Sequence, residues 1–327
     1  MTPGEPPRGL HADPAPFRSH RLDVGSGHVL SVRESGCPDG IAAVVLHGGP
    51  GSGCSPLQRR FFDPGRYRIV CVDQRGAGES QPRGAITDNT TAHLLADLRR
   101  VRAHLGIQRW LVVGGSWGAT LALVHALDDP GAVSALLLRA TFLARPADIA
   151  SFFDGAAFGS DLAGADTRSV LDTLAARLQH ADAGVRRACA LAWWRHEQRW
   201  SNPLPPDEAA VPADIDAQAD RYRVQAHYMR HGCWVQQPLL ARCAGLPARP
   251  TLLLQGSEDR ICPPDGARAL RGVLAHAQLR EVAGVGHDPS HPSMVDAMVR
   301  ALDAFAAHGS FDDDPPRARA RAAEGAR

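Results

Sequence analysis

The sequence predicts an α/β fold: a mostly parallel central sheet flanked by helices, with a helical cap inserted between two of its strands. Three observations predict it. Continuous apolar runs of strand length, such as Ile41 to Leu46, Ile69 to Val72 and Thr251 to Leu254, read as strands covered on both faces. Helical periodicity at crossover length separates the first several of them, which favours parallel neighbours. That rhythm then stops from about residue 144 to 244, where helical patterns and proline breaks replace buried-strand runs.

Composition narrows the function classes. The chain has 327 residues, 44% of them apolar, enough for one large core or two modest ones. Lys+Arg 36 against Asp+Glu 35 leaves a net charge of +1, so neither nucleic acid nor an anionic membrane is an expected partner. All the basic residues are arginine. The 7 cysteines are odd in number and show no Cys-x-x-Cys or Cys/His spacing. Reduced thiols are expected, with no metal and no cofactor. Residues 1–17 are proline-rich and lack the apolar stretch of a signal peptide, and no run approaches membrane-spanning length. These features point to a cytoplasmic, soluble protein.

Taken in order, residues 1–16 read as a flexible arm. Arg21 to Val24 and His28 to Val32 alternate apolar and polar around Gly25-Ser26-Gly27, the pattern of a hairpin with one wet face. The buried strand Ile41–Leu46 runs into His47-Gly48-Gly49-Pro50-Gly51-Ser52-Gly53, where glycines allow the backbone to approach a ligand. A phosphate-binding loop is disfavoured, since the Lys-Ser/Thr pair is missing and Pro50 has no N–H. His47 reads as a structural residue of this loop. The strand ending at Asp73 leads into Gln74-Arg75-Gly76-Ala77-Gly78-Glu79-Ser80, where Asp73 and Arg75 are expected to shape a salt-bridged turn. Asn89-Thr90-Thr91 should cap a helix carrying Leu94, Leu95, Leu98, Val101 and Leu105 on one face.

The next segment organises the chain. Trp110 to Val113 is a strand, Gly114-Gly115-Ser116-Trp117-Gly118 a sharp turn, and Leu121 to Leu127 a helix. Gly-x-Ser-x-Gly between strand and helix is the spacing of a nucleophile elbow. The turn leaves no room for a Cβ two residues before or after the serine, and its strain presents Oγ above the sheet edge. The Trp117 N–H then opens a helix, where it can face an oxyanion. A second oxyanion donor is expected from the loop after Leu46, with Gly49 the first choice and Gly48 the second.

A serine nucleophile needs a base, and the base an orienting acid. Asp259 follows the strand Pro250–Gln255, and His287 follows the last strand, Leu279–Val282, in the Ser…Asp…His order of α/β-hydrolases. Ends of neighbouring strands bring such residues together. Glu258 is a rival acid, His291 a rival base that starts the final helix (292–307), and Asp288 a capping neighbour. The domain reading is therefore a core of 17–143 and 245–309 with the α/β-hydrolase fold, a helical cap of 144–244, and a disordered tail of 310–327.

Together these segments resemble the proline iminopeptidases, the prolyl aminopeptidases of the α/β-hydrolase superfamily. The match rests on His47-Gly48-Gly49-Pro50-Gly51, on Asp73 to Ser80, on Gly114 to Gly118, on Gly256-Ser257-Glu258-Asp259 with Cys262-Pro263, and on Gly286-His287. It implies release of N-terminal proline from a peptide, by Ser116, His287 and Asp259, without metal. It also implies a carboxylate pair in the cap that holds the substrate amine. The first family motif is Trp-x-x-Trp-Glu, and Trp193-Trp194-Arg195-His196-Glu197 keeps its first Trp and its Glu. The second is similar to Glu-x-His-Tyr-Phe, but here reads Gln225-Ala226-His227-Tyr228-Met229, so a carboxylate has become an amide. Glu197, Gln225, Gly48 and Trp193 are the substrate-contacting residues that follow from the resemblance. Gln225 also keeps open an esterase or amidase acting on small acyl substrates. A non-catalytic small-molecule receptor on this fold is the reading from another class.

Overall fold

The computed structural model describes residues 6–201 and 211–312. Strands β1 (Pro16–Asp23), β2 (Val29–Gly36) and β3 (Ile41–Leu46) are followed by a short helix α1 (Pro56–Arg59). Then come β4 (Tyr67–Val72), α2 (Thr91–His104), β5 (Trp110–Ser116), α3 (Trp117–Asp128) and β6 (Val133–Thr141). The cap carries α4 (Pro146–Phe152), α5 (Thr167–Leu178), α6 (Ala183–Ser201), α7 (Ile215–Met229) and α8 (Leu239–Cys243). The core resumes with β7 (Thr251–Gly256), α9 (Pro264–Val273), β8 (Gln278–Val282) and α10 (Pro292–His308).

The eight strands form one sheet in the order β1-β2-β4-β3-β5-β6-β7-β8. The first hairpin and the β2–β4 pair are antiparallel, and every later pair is parallel. Strand periodicity splits the apolar runs between two cores. Val44, Leu46, Val70 and Val112 face α2, α3 and the cap, whereas Ala43, Val45, Ile69 and Leu111 face α10. This is the α/β-hydrolase fold. Because β3, β5, β6, β7 and β8 run parallel, their C-terminal ends share one edge, and the loops that follow them meet there.

The chain ends depart from the sequence reading. The expected flexible arm is tied down over its described part. Arg8 N donates to Asp296 Oδ1, His11 N to Arg60 O, and Arg59 forms a two-pronged pair with Asp13. At the other end Phe311, placed in the tail by the sequence reading, is buried and stacks on Phe305. The arm's first residues and the tail beyond 312 lie outside the described residues, as do Pro203, Pro205 and Pro206.

The cap docks through the segment expected to cap α2. Thr90 holds the N-cap position, but its hydroxyl meets His93 Nδ1 at 2.9 Å and caps no backbone N–H. Its neighbours are spent on the cap instead. Asn89 Oδ1 accepts from Tyr228 Oη at 2.9 Å, Asn89 O from His227 Nε2 at 3.1 Å, and Thr91 Oγ1 donates to Cys233 O. A Cβ on Gly51 would lie 2.7 Å from Arg221 O, so α7 rests on the glycine loop itself.

Candidate active site

The chain at the C-terminal ends of β3, β5, β6, β7 and β8 and the cap helices α4, α6 and α7 surround a cavity of about 430 Å³, within the usual range for small-ligand sites. Ser116 sits at its base with φ 57° and ψ −124°, a conformation L residues rarely hold. Contacts on both sides fix it. A Cβ on Gly114 would lie 2.2 Å from Gly118 O, and one on Gly118 2.0 Å from Leu46 O. No side chain fits there. Trp117, fully buried, begins α3 and donates its Nε1–H to Gln74 Oε1 at 2.9 Å. The backbone N–H groups of this first helical turn have no helical acceptor of their own.

Asp259 and His287 meet as their strand ends suggest. His287 Nδ1 lies 2.8 Å from Asp259 Oδ2, while Asp259 Oδ1 accepts from Cys262 N at 2.8 Å. Burial alone would raise the Asp259 carboxyl, but His287, the Cys262 N–H and Arg139 outweigh it and hold the group below its ordinary value. The carboxylate is thus ionised and both its oxygens are engaged, which directs the His287 Nε2 edge away from it. Ser116 Oγ makes its hydrogen-bond contact with Cys262 Sγ at 3.8 Å, not with His287. The rivals do not take these places, although Asp288 also lines the cavity. Glu258 is exposed, His291 is the N-cap of α10, and Asp288 Oδ1 accepts from Ser290 N and Oγ.

The supporting loops act as the sequence suggests. His47 Nε2 accepts from Gln74 N at 3.0 Å, which puts the ring proton on Nδ1 facing Gly48 O. Burial pushes this imidazole below its ordinary value. Asp73 Oδ1 accepts from Cys54 N and Oδ2 from Glu79 N, and Arg75 grips Asp97 with two bonds of 2.7 and 2.8 Å. Gly48 and Gly49 both line the cavity, and a Cβ on Gly48 would stand 3.5 Å from Ser116 Cβ.

The cap supplies the opposite wall. Glu197, Ser201, Arg221, Gln225 and Met229 line it, spaced by four along α6 and α7 so that each set shares a helix face. Trp193 does not line it. It is fully buried inside the cap and stacks on Tyr222 at 4.8 Å, one turn below Glu197. The sequence reading mistook a support for a contact. His196 is buried too, 2.8 Å from Phe152 O, so the change from the family's second Trp is absorbed in cap packing. Glu197 is already engaged: Arg221 Nη2 donates to Oε1 and Tyr222 Oη to Oε2, each at 2.7 Å.

The sequence reading passed over two arginines. Arg139 at the end of β6 lines the cavity and donates to His287 O at 2.8 Å. A Cβ on Gly115 would lie 2.9 Å from its Nη2, so the elbow and the histidine loop share one guanidinium. A charge at the C-terminal end of an apolar strand was the available signal. For Arg221 the signal was its place four residues before Gln225.

The family model described as the alpha/beta hydrolase fold matches residues 43–292. The proline iminopeptidase of Xanthomonas citri is 37% identical over 313 residues, covering 91% of this chain and all (100%) of that one. The chain belongs to the proline iminopeptidase family of the α/β hydrolases. It is accordingly an enzyme of the hydrolase class. The family extends to plants: the Arabidopsis thaliana proline iminopeptidase is also 37% identical, over 90% of this chain and 81% of its own. Among solved structures, a proline iminopeptidase-related protein from Thermus thermophilus superposes with a TM-score of 0.61 at 22% identity, covering 89% of this chain and 97% of its own. An esterase from Rhodococcus superposes at 0.53 with 17% identity, covering 91% and 99%. At these identities the two structures speak to the fold alone. No described helix is long and apolar enough to cross a membrane.

Proposed function

We propose that this family member is a serine hydrolase that releases N-terminal proline from peptides. The observation that carries the reading is the Asp259–His287 pair, 2.8 Å apart, opening into the same cavity as the strained Ser116. Ser116 Oγ leaves the Cys262 thiol and attacks the acyl carbon while His287 Nε2 takes its proton. Asp259 stabilises the imidazolium that results. The Trp117 and Gly49 amides hold the oxyanion, and each such donor is worth about 3 kcal/mol in the transition state. His287 then returns the proton to the departing amine, and water, activated by His287, hydrolyses the acyl-enzyme. Glu197 and Gln225 receive the ring nitrogen of the substrate across the cavity.

One observation favours a second reading, an esterase or amidase on small acyl groups. The family's second cap carboxylate is Gln225, and Glu197 already holds an arginine. A turnover screen separates the two. Proline-arylamide should be hydrolysed in preference to short acyl esters, and a fluorophosphonate should label Ser116. Labelling with ester turnover alone would favour the second reading. No labelling and no turnover would leave the fold as a receptor.

A further inference from the structure

A pair of imidazoles lies outside the cavity, between β1 and the end of α2. His20 Nδ1 and His104 Nε2 are 3.0 Å apart. The ring centres stand 4.9 Å apart, farther than the nitrogens, so the two nitrogens lie on facing edges. Behind His20 is a carboxylate. Its Nε2 is 2.9 Å from Glu34 Oε1, and Arg68 donates to the other Glu34 oxygen. The Glu34 side chain is fully buried, at 0% exposure, and His104 is exposed.

An ionised carboxylate only accepts, so the network assigns the His20 proton to Nε2 and leaves a lone pair on Nδ1. That lone pair faces His104 Nε2, which must then donate to it. One proton therefore fills the space between the two nitrogens. A tautomer shift of His104 moves this proton to its Nδ1, with no change of charge, and leaves two lone pairs converging on the gap. A carboxylate behind an imidazole is also the outer partner that metal-bound histidines use to fix ring and tautomer. Two zinc–nitrogen bonds of about 2.05 Å at a tetrahedral angle would set the nitrogens about 3.3 Å apart. A small turn of the exposed His104 ring opens the gap that far. His104 is also the last residue of α2, where the helix dipole favours a cation.

We propose that His20 and His104, backed by Glu34, form a two-imidazole site for a divalent cation of the Zn²⁺, Ni²⁺ and Cu²⁺ class, which staples the outer strand β1 to the end of α2. Imidazole nitrogen suits these ions, whereas Mg²⁺ and Ca²⁺ take oxygen ligands. No group of three or more His, Cys, Asp and Glu fit to hold a metal occurs among the described residues, so water completes the shell on the exposed side of His104. The two ligands are 84 positions apart, which is why the sequence shows no metal-ligand spacing. The site stands apart from Ser116 and does not depend on the hydrolase reading.

The experiment adds Zn²⁺ alone to the metal-stripped full chain, with Mg²⁺ as the comparison, and reads calorimetry and melting curves. Wild type should bind one equivalent more than His104→Ala, a difference that removes any Zn²⁺ held elsewhere in the chain. At saturation its Tm should rise by a few degrees more than that of the variant, because the ion binds the folded chain. Glu34→Gln should weaken the extra site by about 10- to 100-fold. Mg²⁺ should move neither readout. Should Glu34→Gln melt early, wild type and His104→Ala, which loses an exposed ring only, carry the test. Equal Zn²⁺ stoichiometry and equal Tm shifts in wild type and His104→Ala overturn the proposal. So does a folded Glu34→Gln that binds Zn²⁺ as wild type does, or a Mg²⁺ effect as large as that of Zn²⁺.

Discussion

The core loops and the cap wall of this cavity are built on opposite terms. In the loops the polar groups that hold the site in shape are closed on neighbours: both Asp259 oxygens, His287 Nδ1, His47 Nε2 and both Asp73 oxygens have partners, mostly backbone. Position is enforced by absence of space, since a Cβ at Gly114 or Gly118 would strike a carbonyl oxygen. In the cap the same cavity is lined by side chains on helix faces, and there Gln225 Oε1 and Arg221 Nε have no partner among the described residues. On the proposed mechanism, backbone geometry would fix how the bond is broken, while exchangeable side chains would decide which bond reaches the serine. A single substitution in the loops should act on every substrate alike. One in the cap should separate them.

The largest effect tests the uniform half of that contrast. Ser116→Ala should lower kcat on amide and ester alike, by about 10⁶-fold, with an unchanged melting curve. His287→Ala should fall nearly as far, because nucleophile and base act as a unit. His291→Ala should not, since that ring only accepts from Ser293 N at the start of α10. Near-wild-type turnover in Ser116→Ala, or an inactive His291→Ala beside an active His287→Ala, would remove the assignment.

The contrast also explains what could be read from the sequence. Loops fixed by backbone crowding leave glycines at set spacings, so Gly114, Ser116 and Gly118, and the Asp259 and His287 turns, are legible in the sequence. Burial of continuous runs gave the sheet. The cap offered weaker signals, because a helix face mixes support and contact at the same spacing. Trp193 and Glu197 lie four apart, and only the second reaches the cavity. The Arg221–Glu197 pair joins residues 24 positions apart on two helices, and no local pattern announces it. The chain ends misled for a related reason: Arg8, Asp13 and Phe311 find their partners far along the chain or through one aromatic contact, which composition does not show.

Gly118→Ala probes the enforcement directly. Its Cβ would lie 2.0 Å from Leu46 O, and that atom is strand backbone that cannot turn aside. The sheet or the elbow must move, at a cost of about 3 kcal/mol or more, and activity on all substrates should drop together. Denaturant melts give the stability loss, and the amide and ester rates give the rest. A variant that keeps wild-type stability would show that the elbow is not held by crowding.

A smaller and opposite signature belongs to the cap. Gln225→Glu adds a carboxylate to a wall whose ion pair is already balanced, giving it a net negative charge. It should raise kcat/KM for prolyl-arylamide by about tenfold, the equivalent of roughly 1.4 kcal/mol, and leave a neutral ester unchanged. Glu197→Gln should lower the amine substrate and spare the ester. Equal responses of both substrates would place neither residue beside the ring nitrogen.

The smallest effect concerns the seam between the two regions. His227 donates to Asn89 O across it, and burial, the largest influence, pulls its pKa down to about 4 despite that bond. The unfolded chain holds the ordinary value near 6.5. Between the two the unfolded state binds more protons, so the contribution is complete above about pH 6.5 and is lost as pH falls toward 4. The ring is only partly buried and solvent screens it, so the expected shift in Tm is a few degrees at most. His227→Gln keeps a donor but does not titrate. Its Tm should therefore fall less than that of wild type between pH 7 and 4.5. His125, buried in the core with a pKa also near 4, titrates in both proteins and cancels in the difference. If the two curves stay parallel across that window, the cap is not held to Asn89 by a neutral imidazole, and Tyr228 and Thr91 carry the seam instead.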